Sequence, residues 1–142
     1  MTKIKPPKQF WLMKSEPDVY GWDHLIAERE GTWDGVRNYR ARNNLAAMQL
    51  GDEAFFYHSM SDKAVVGIMR VARAAAPDPK APEWVTVRVE PVRALKRPVT
   101  LAAIKAEPKL AKMELIRQSR LSVAPVRAEE WVTVINMAET MQ

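Results

Sequence analysis

Cysteine is absent from this 142-residue chain, which excludes disulfides, thiolate metal sites and cysteine nucleophiles. Histidine occurs only as His24 and His58, and two histidines without cysteine argue against a zinc site. No carboxylate grouping resembles a dedicated cation cage, so neither a metal nor a cofactor is expected. Long apolar runs are missing as well: no stretch approaches the roughly 20 residues needed to span a bilayer. GxGxxG, the P-loop lysine motif, HExxH and GxSxG do not occur, which removes the familiar nucleotide-binding and hydrolase signatures. The basic start, Met1–Lys8, lacks the apolar segment of a signal peptide and is expected to be a flexible tail. Together these absences predict a cytoplasmic protein folded as a single domain over residues 1–142, with no membrane partner.

What is present is an ordinary apolar fraction of 47%, enough for one hydrophobic core, and a net charge of +5 from 22 basic and 17 acidic residues. Such an excess permits a polyanionic partner without requiring one. Its distribution is uneven. Arg37, Arg40 and Arg42 cluster, as do Arg88, Arg93, Lys96 and Arg97, and again Arg117, Arg120 and Arg127, whereas acidic residues gather in Glu16–Glu30 and at Glu129–Glu130.

The first of these basic clusters lies in the most informative stretch, Trp33-Asp34-Gly35-Val36-Arg37-Asn38-Tyr39-Arg40-Ala41-Arg42-Asn43. Aromatic faces interleaved with guanidinium and amide groups suit a nucleobase joined to a phosphate, because rings stack, amides read edges and arginines hold the backbone. The plainer alternative is a turn entering an amphipathic helix whose aromatics are core and whose arginines are solvated. The residues alone leave both open.

Along the chain, Gln9–Lys14 reads as a buried strand stopped by Pro17, placing Ser15 and Glu16 at its C-terminal end. Gly21–Gly31 reads as a short helix with Gly31 as its stop, and Asn38 as the N-cap of a helix through Met48. Ala54–Ser59 and Ala64–Arg73 form a hairpin pattern, with Gly67 marking a bend. Ala74–Pro82, with three prolines, reads as a surface loop, and Glu83–Val92 alternates as a strand. Thr100 caps a short helix that Pro108 breaks, Lys109–Gln118 reads as a second short helix, Ser119–Val126 as extended chain, and Arg127–Met137 as a final helix. Mostly antiparallel strands with inserted helices predict an α+β fold with a small curled or closed sheet.

Five tryptophans require places. Trp11, Trp84 and Trp131 lie on amphipathic segments and are assigned to the core; Trp22 and Trp33 flank turns, and only Trp33 is assigned to a pocket. Glu16, Asp34 and His58 are the available acid–base groups, but no spacing identifies a pair, and loop-ordering hydrogen bonds are the preferred role.

Four segments carry a resemblance: Trp11-Leu12-Met13-Lys14-Ser15-Glu16-Pro17, the Trp33–Asn43 block, Phe56-Tyr57-His58-Ser59, and Arg120-Leu121-Ser122-Val123 with Pro125. In order and over nearly the whole chain, they resemble the EVE domain family. Ala124 before Pro125 departs from the usual pattern. The resemblance implies a PUA-like fold, a small mixed β-barrel with peripheral helices, and a non-catalytic module that binds nucleic acid; a monomer is expected, although no residue pattern speaks to oligomeric state. Eukaryotic members are regarded as readers of modified cytosines such as 5-methylcytosine; bacterial members are associated with restriction of modified DNA and with RNA modification. The implied base pocket comprises Lys14, Ser15, Trp33, Gly35, Val36, Asn38, Tyr57, His58, Ser59, Arg120 and Ser122. Trp33 would stack, Val36 would touch a methyl group, and Asn38 and Ser15 would read the base edge. Arg37, Arg40 and Arg42, with Arg120, would take phosphates. An RNA-binding or small-nucleotide domain is the alternative, and a nucleic-acid hydrolase using Glu16, Asp34 or His58 ranks last. The expectation is geometric: all four segments should meet at one cavity.

Overall fold

The computed structural model describes residues 9–60 and 63–140. The expected tail at residues 1–8 and part of the turn after β3 lie outside them. Six strands form one sheet in the order β2-β5-β4-β3-β1-β6. Strand β1 (Phe10–Ser15) runs parallel to β3 (Glu53–His58), pairing Lys14 with Tyr57 and Ser15 with His58, and antiparallel to β6 (Val123–Val126). The remaining pairs are antiparallel: β3 with β4 (Ala64–Asp78), β4 with β5 (Ala81–Thr100), and β5 with β2 (Gly31–Trp33).

The α+β expectation holds, but the sheet does not close into a barrel. Its two ends are β2, only three residues long, and β6, where Pro125 removes a ladder donor. Neither edge presents a run of hydrogen-bonding groups long enough to zip onto the other. Instead helix α3 (Tyr39–Ala47) packs on β4, β5 and β6, bridging the gap between the two ends of the sheet.

Both faces of the sheet are covered, which is why β1 and β3 read as nearly continuous apolar runs. On one face Trp11, Met13, Phe56, Met69 and Val87 pack with Trp22 and Leu25 of α2 (Trp22–Glu28) and with Ala41 and Leu45 of α3. On the other, Leu12, Phe55, Tyr57, Ile68 and Val99 pack under α4 (Leu101–Ala106), α5 (Glu114–Arg117) and α6 (Ala128–Thr140). There Trp131 stacks on Phe55 at 3.9 Å and on Phe10 at 4.5 Å. Asp52, buried in the turn before β3, accepts hydrogen bonds from Trp11 Nε1 and from the amides of Gln9 and Gln49, tying the start of β1 to the end of α3.

Several boundaries differ from expectation. Ala74–Pro82 is not a loop: β4 runs to Asp78 and β5 starts at Ala81, with Asp78 Oδ1 accepting the Lys80 amide across a tight turn. The prolines are tolerated because β3 leaves β4 beyond Arg70, and β2 reaches β5 only between Val87 and Val89, so each strand of this arm has a free edge. Gly31 is not the stop of α2; Arg29 takes the left-handed position (φ 69°), and Gly31 opens β2 with Tyr20 and Leu25 where a Cβ would sit. The segment read as a helix from Lys109 to Gln118 is a 3-10 turn (Pro108–Leu110) followed by the four-residue α5. Trp84 is not core but half-exposed on the arm. The caps Asn38 and Thr100 are found as expected, accepting the amides of Ala41 and Ala103.

Gly67 lies where the β4–β5 register shifts, and a Cβ there would stand 2.5 Å from the buried Trp22 ring. Trp22 is buried and packs edge-on against Phe56, so Gly67→Ala should lower unfolding free energy by about 1–3 kcal/mol, read from the urea midpoint.

Candidate functional site

The end of β1, the short helix α1 (Pro17–Tyr20), β2 and the loop after it enclose a cavity of about 420 Å³. That volume falls in the range of small-molecule pockets. Lys14 and Ser15 form one side because β1 ends there, stopped by the proline that opens α1. Val19 and Tyr20 of α1 form a second side, and Thr32 to Arg37 the third. Ser122 closes the circle: its carbonyl accepts the Lys14 amide at 2.9 Å, which holds the two segments together.

Trp33 is a wall rather than a free platform. It is 6% exposed, meeting Phe56 edge-on at 5.4 Å and Tyr20 at 6.4 Å, with interplanar angles of 81° and 89°. Val36, also buried, adds apolar surface. Gly35 takes a left-handed conformation (φ 75°) with open space where a Cβ would be, so the backbone turn rather than crowding requires glycine there. The Ser15 hydroxyl donates to the Tyr20 carbonyl at 2.6 Å, leaving its lone pairs to act as an acceptor. Lys14 Nζ donates to the Ser119 carbonyl at 2.7 Å, and burial lowers its pKa from the ordinary lysine value. Burial raises the Tyr20 pKa, and the hydrogen bond to Glu28 raises it further, so the phenol stays protonated as a donor. Asp34 lies exposed on the cavity wall as its acidic group.

Of the residues expected in a single pocket, Lys14, Ser15, Trp33, Gly35, Val36 and Ser122 line this cavity. The others are placed elsewhere. Asn38 and Arg120 line a neighbouring cleft of about 280 Å³ with Arg40 and Arg117. Tyr57 and Ser59 line a third hollow of about 290 Å³ on the far side of Lys14. His58 Nε2 accepts the Trp22 amide at 3.2 Å, with its ring edge-on to Phe56. The cause is strand alternation: Phe56 faces the Trp33 side of the sheet, so its neighbour Tyr57 must face the other.

The three arginines assigned to phosphates also part company. Arg37 donates to the Val36 carbonyl and lies 3.5 Å from buried Asp78, its guanidinium 5.5 Å from the Trp84 ring. Arg42 donates to the Glu83 carbonyl and sits 5.1 Å from the Tyr39 ring. Tyr39 and Trp84 stack at 5.0 Å. Arg37, Trp84, Tyr39 and Arg42 thus form a ladder that fastens the β4–β5 arm to α3. Arg37 still reaches the wall of the first cavity, and Arg40 lines the neighbouring cleft, beside Gln118 at 3.1 Å.

Sequence reasoning missed Val19, Tyr20 and Thr32 as cavity residues. A signal existed for Val19, an apolar residue 72% exposed on a one-turn helix immediately after Ser15-Glu16-Pro17. None existed for Thr32, since β2 is too short to show alternation.

The EVE domain family model matches residues 9–137. The chain is 36% identical to human thymocyte nuclear protein 1 over 172 aligned positions, covering 96% of this chain and 76% of that protein. Among solved structures, Rpa0253 from Rhodopseudomonas palustris superposes with a TM-score of 0.89 at 47% identity, covering 94% of this chain and 95% of that one. Human THYN1 in complex with DNA containing 5-methylcytosine superposes with a TM-score of 0.87 at 34% identity, covering 95% of this chain and all (100%) of that one.

Proposed function

This chain belongs to the EVE domain family, and on that premise we propose that it is a non-catalytic reader that takes a modified, flipped-out base of a nucleic acid into the cavity beside Trp33. The observation that carries the proposal is the cavity itself: about 420 Å³, walled by Trp33, Val36 and Val19, and rimmed by Lys14, Ser15 and the Gly35 turn. The likeness to a human protein solved with 5-methylcytosine DNA supports a modified cytosine as the base.

Extruding a base costs a few kcal/mol of stacking and pairing, which the site must recover. Val36 and Val19 offer apolar contact to a methyl group, and a methyl buried there contributes about 0.8 kcal/mol. Ser15 accepts from an exocyclic amine, while Lys14 and backbone amides of the Gly35 turn donate to base carbonyls. Trp33 holds the wall rigid. Because its ring meets Phe56 and Tyr20 edge-on within the core, it contributes shape more than a freely exposed stacking face.

Anisotropy titrations of matched oligonucleotides, cytosine against 5-methylcytosine in DNA and in RNA at fixed salt, test the reading. One buried methyl group predicts roughly a fourfold preference, and a modification that also gains a hydrogen bond predicts about tenfold or more. Equal affinity for every modified and unmodified base would overturn it.

A further inference from the structure

The base cavity does not stand alone. Lys14 lines both it and the third hollow, and Ser119, which accepts the Lys14 hydrogen bond, lines both that hollow and the arginine cleft. The three spaces therefore meet around one lysine–carbonyl contact. On one side stand Arg40, Arg117 and Arg120; on the other, Lys63 and Lys105. Among the described residues no acidic side chain lines either flank, and Glu114 lies 3.9 Å from Arg117 at the edge of the arginine side. The Lys63 carbonyl accepts the Leu101 amide at the start of α4, the helix that carries Lys105, so the two lysines share one rim. All five flanking cations are exposed.

We propose that the three spaces form one track for a single nucleic-acid strand: the flipped base enters the central cavity, the phosphodiester on one side lies against Arg40, Arg117 and Arg120, and that on the other against Lys63 and Lys105. The proposal rests on the base-reading function above and adds the path of the strand. It also moves the phosphate contacts away from Arg37 and Arg42, whose guanidiniums lie against the rings that fasten the β4–β5 arm to α3. Lys14, half-buried at the junction and short of solvent, gains most from an anion on either side, because a phosphate restores the stabilisation that burial removes.

The test uses the full chain and single-stranded oligonucleotides carrying the preferred modified base, with affinity measured against salt concentration. Lys63→Gln with Lys105→Gln, and separately Arg117→Gln with Arg120→Gln, should each weaken binding. Each should also flatten the log–log salt slope by about 0.7 per lost phosphate contact. Neither should change the ratio between modified and unmodified base. Arg93→Gln, whose side chain pairs with Glu139 away from the track, should leave the slope unchanged. A slope unaffected by the lysine pair, or by the arginine pair, would overturn the track while leaving base reading intact. A wild-type protein with no base preference would instead overturn the reading of the central cavity.

Discussion

Ser122→Trp is expected to abolish the preference for a modified base while leaving the fold intact, with affinity for the modified oligonucleotide falling about a hundredfold, or roughly 2.7 kcal/mol. Ser122 is half-buried, lines the cavity, and holds its place through its backbone, whose carbonyl accepts the Lys14 amide. A side-chain replacement keeps that contact. An indole at this position of the lining is expected to fill the space that the base would occupy. A melting curve close to wild type, together with the lost affinity, would place the base in this cavity. Undiminished affinity would place it elsewhere.

Trp33→Ala should have the larger effect on stability, lowering it by about 3–5 kcal/mol. Set against the roughly 5–15 kcal/mol that holds a typical domain together, that loss is severe. Trp33 is nearly fully buried, and its removal would deprive Phe56 and Tyr20 of their edge-on partner beneath the sheet. Urea denaturation measures the loss directly. Trp33→Phe, which keeps a ring against Phe56, should recover more than half of it. Lost binding in Trp33→Ala alone would thus report the fold as much as recognition, and Ser122→Trp is the cleaner probe.

This double character of Trp33 shows where the sequence was legible. An aromatic among asparagines and arginines signals a site, and the residue does line one, but nothing in the stretch shows that its ring also packs on Phe56. Local chemistry was readable: Asn38 and Thr100 cap their helices because a cap needs only the amides three residues on. Gly67 marked a bend because a missing side chain in a strand has few other meanings. Pairing was not readable. That β1 lies parallel to β3, with Lys14 beside Tyr57, is a long-range fact. With alternation along β3 turning Tyr57 to the face opposite Phe56, it sets Tyr57 and Ser59 beside Lys14 in a separate hollow, and the one expected pocket becomes three spaces. The open sheet is of the same kind, since the shortness of β2 and the proline in β6 matter only once both are known to be edges. The prolines at 77, 79 and 82 misled for the complementary reason: they exclude a central strand, and the arm has free edges.

The central claim is that a base enters the space between Lys14-Ser15, Gly35-Val36 and Ser122. Amide chemical-shift mapping, with a 5-methylcytosine oligonucleotide titrated into isotopically labelled protein, tests it most directly. The account predicts the largest shifts at Ser15, Gly35, Val36 and Ser122, with smaller ones at Lys63, Lys105 and Arg120. Shifts confined to the β4–β5 arm, with the cavity amides unmoved at saturation, would contradict it.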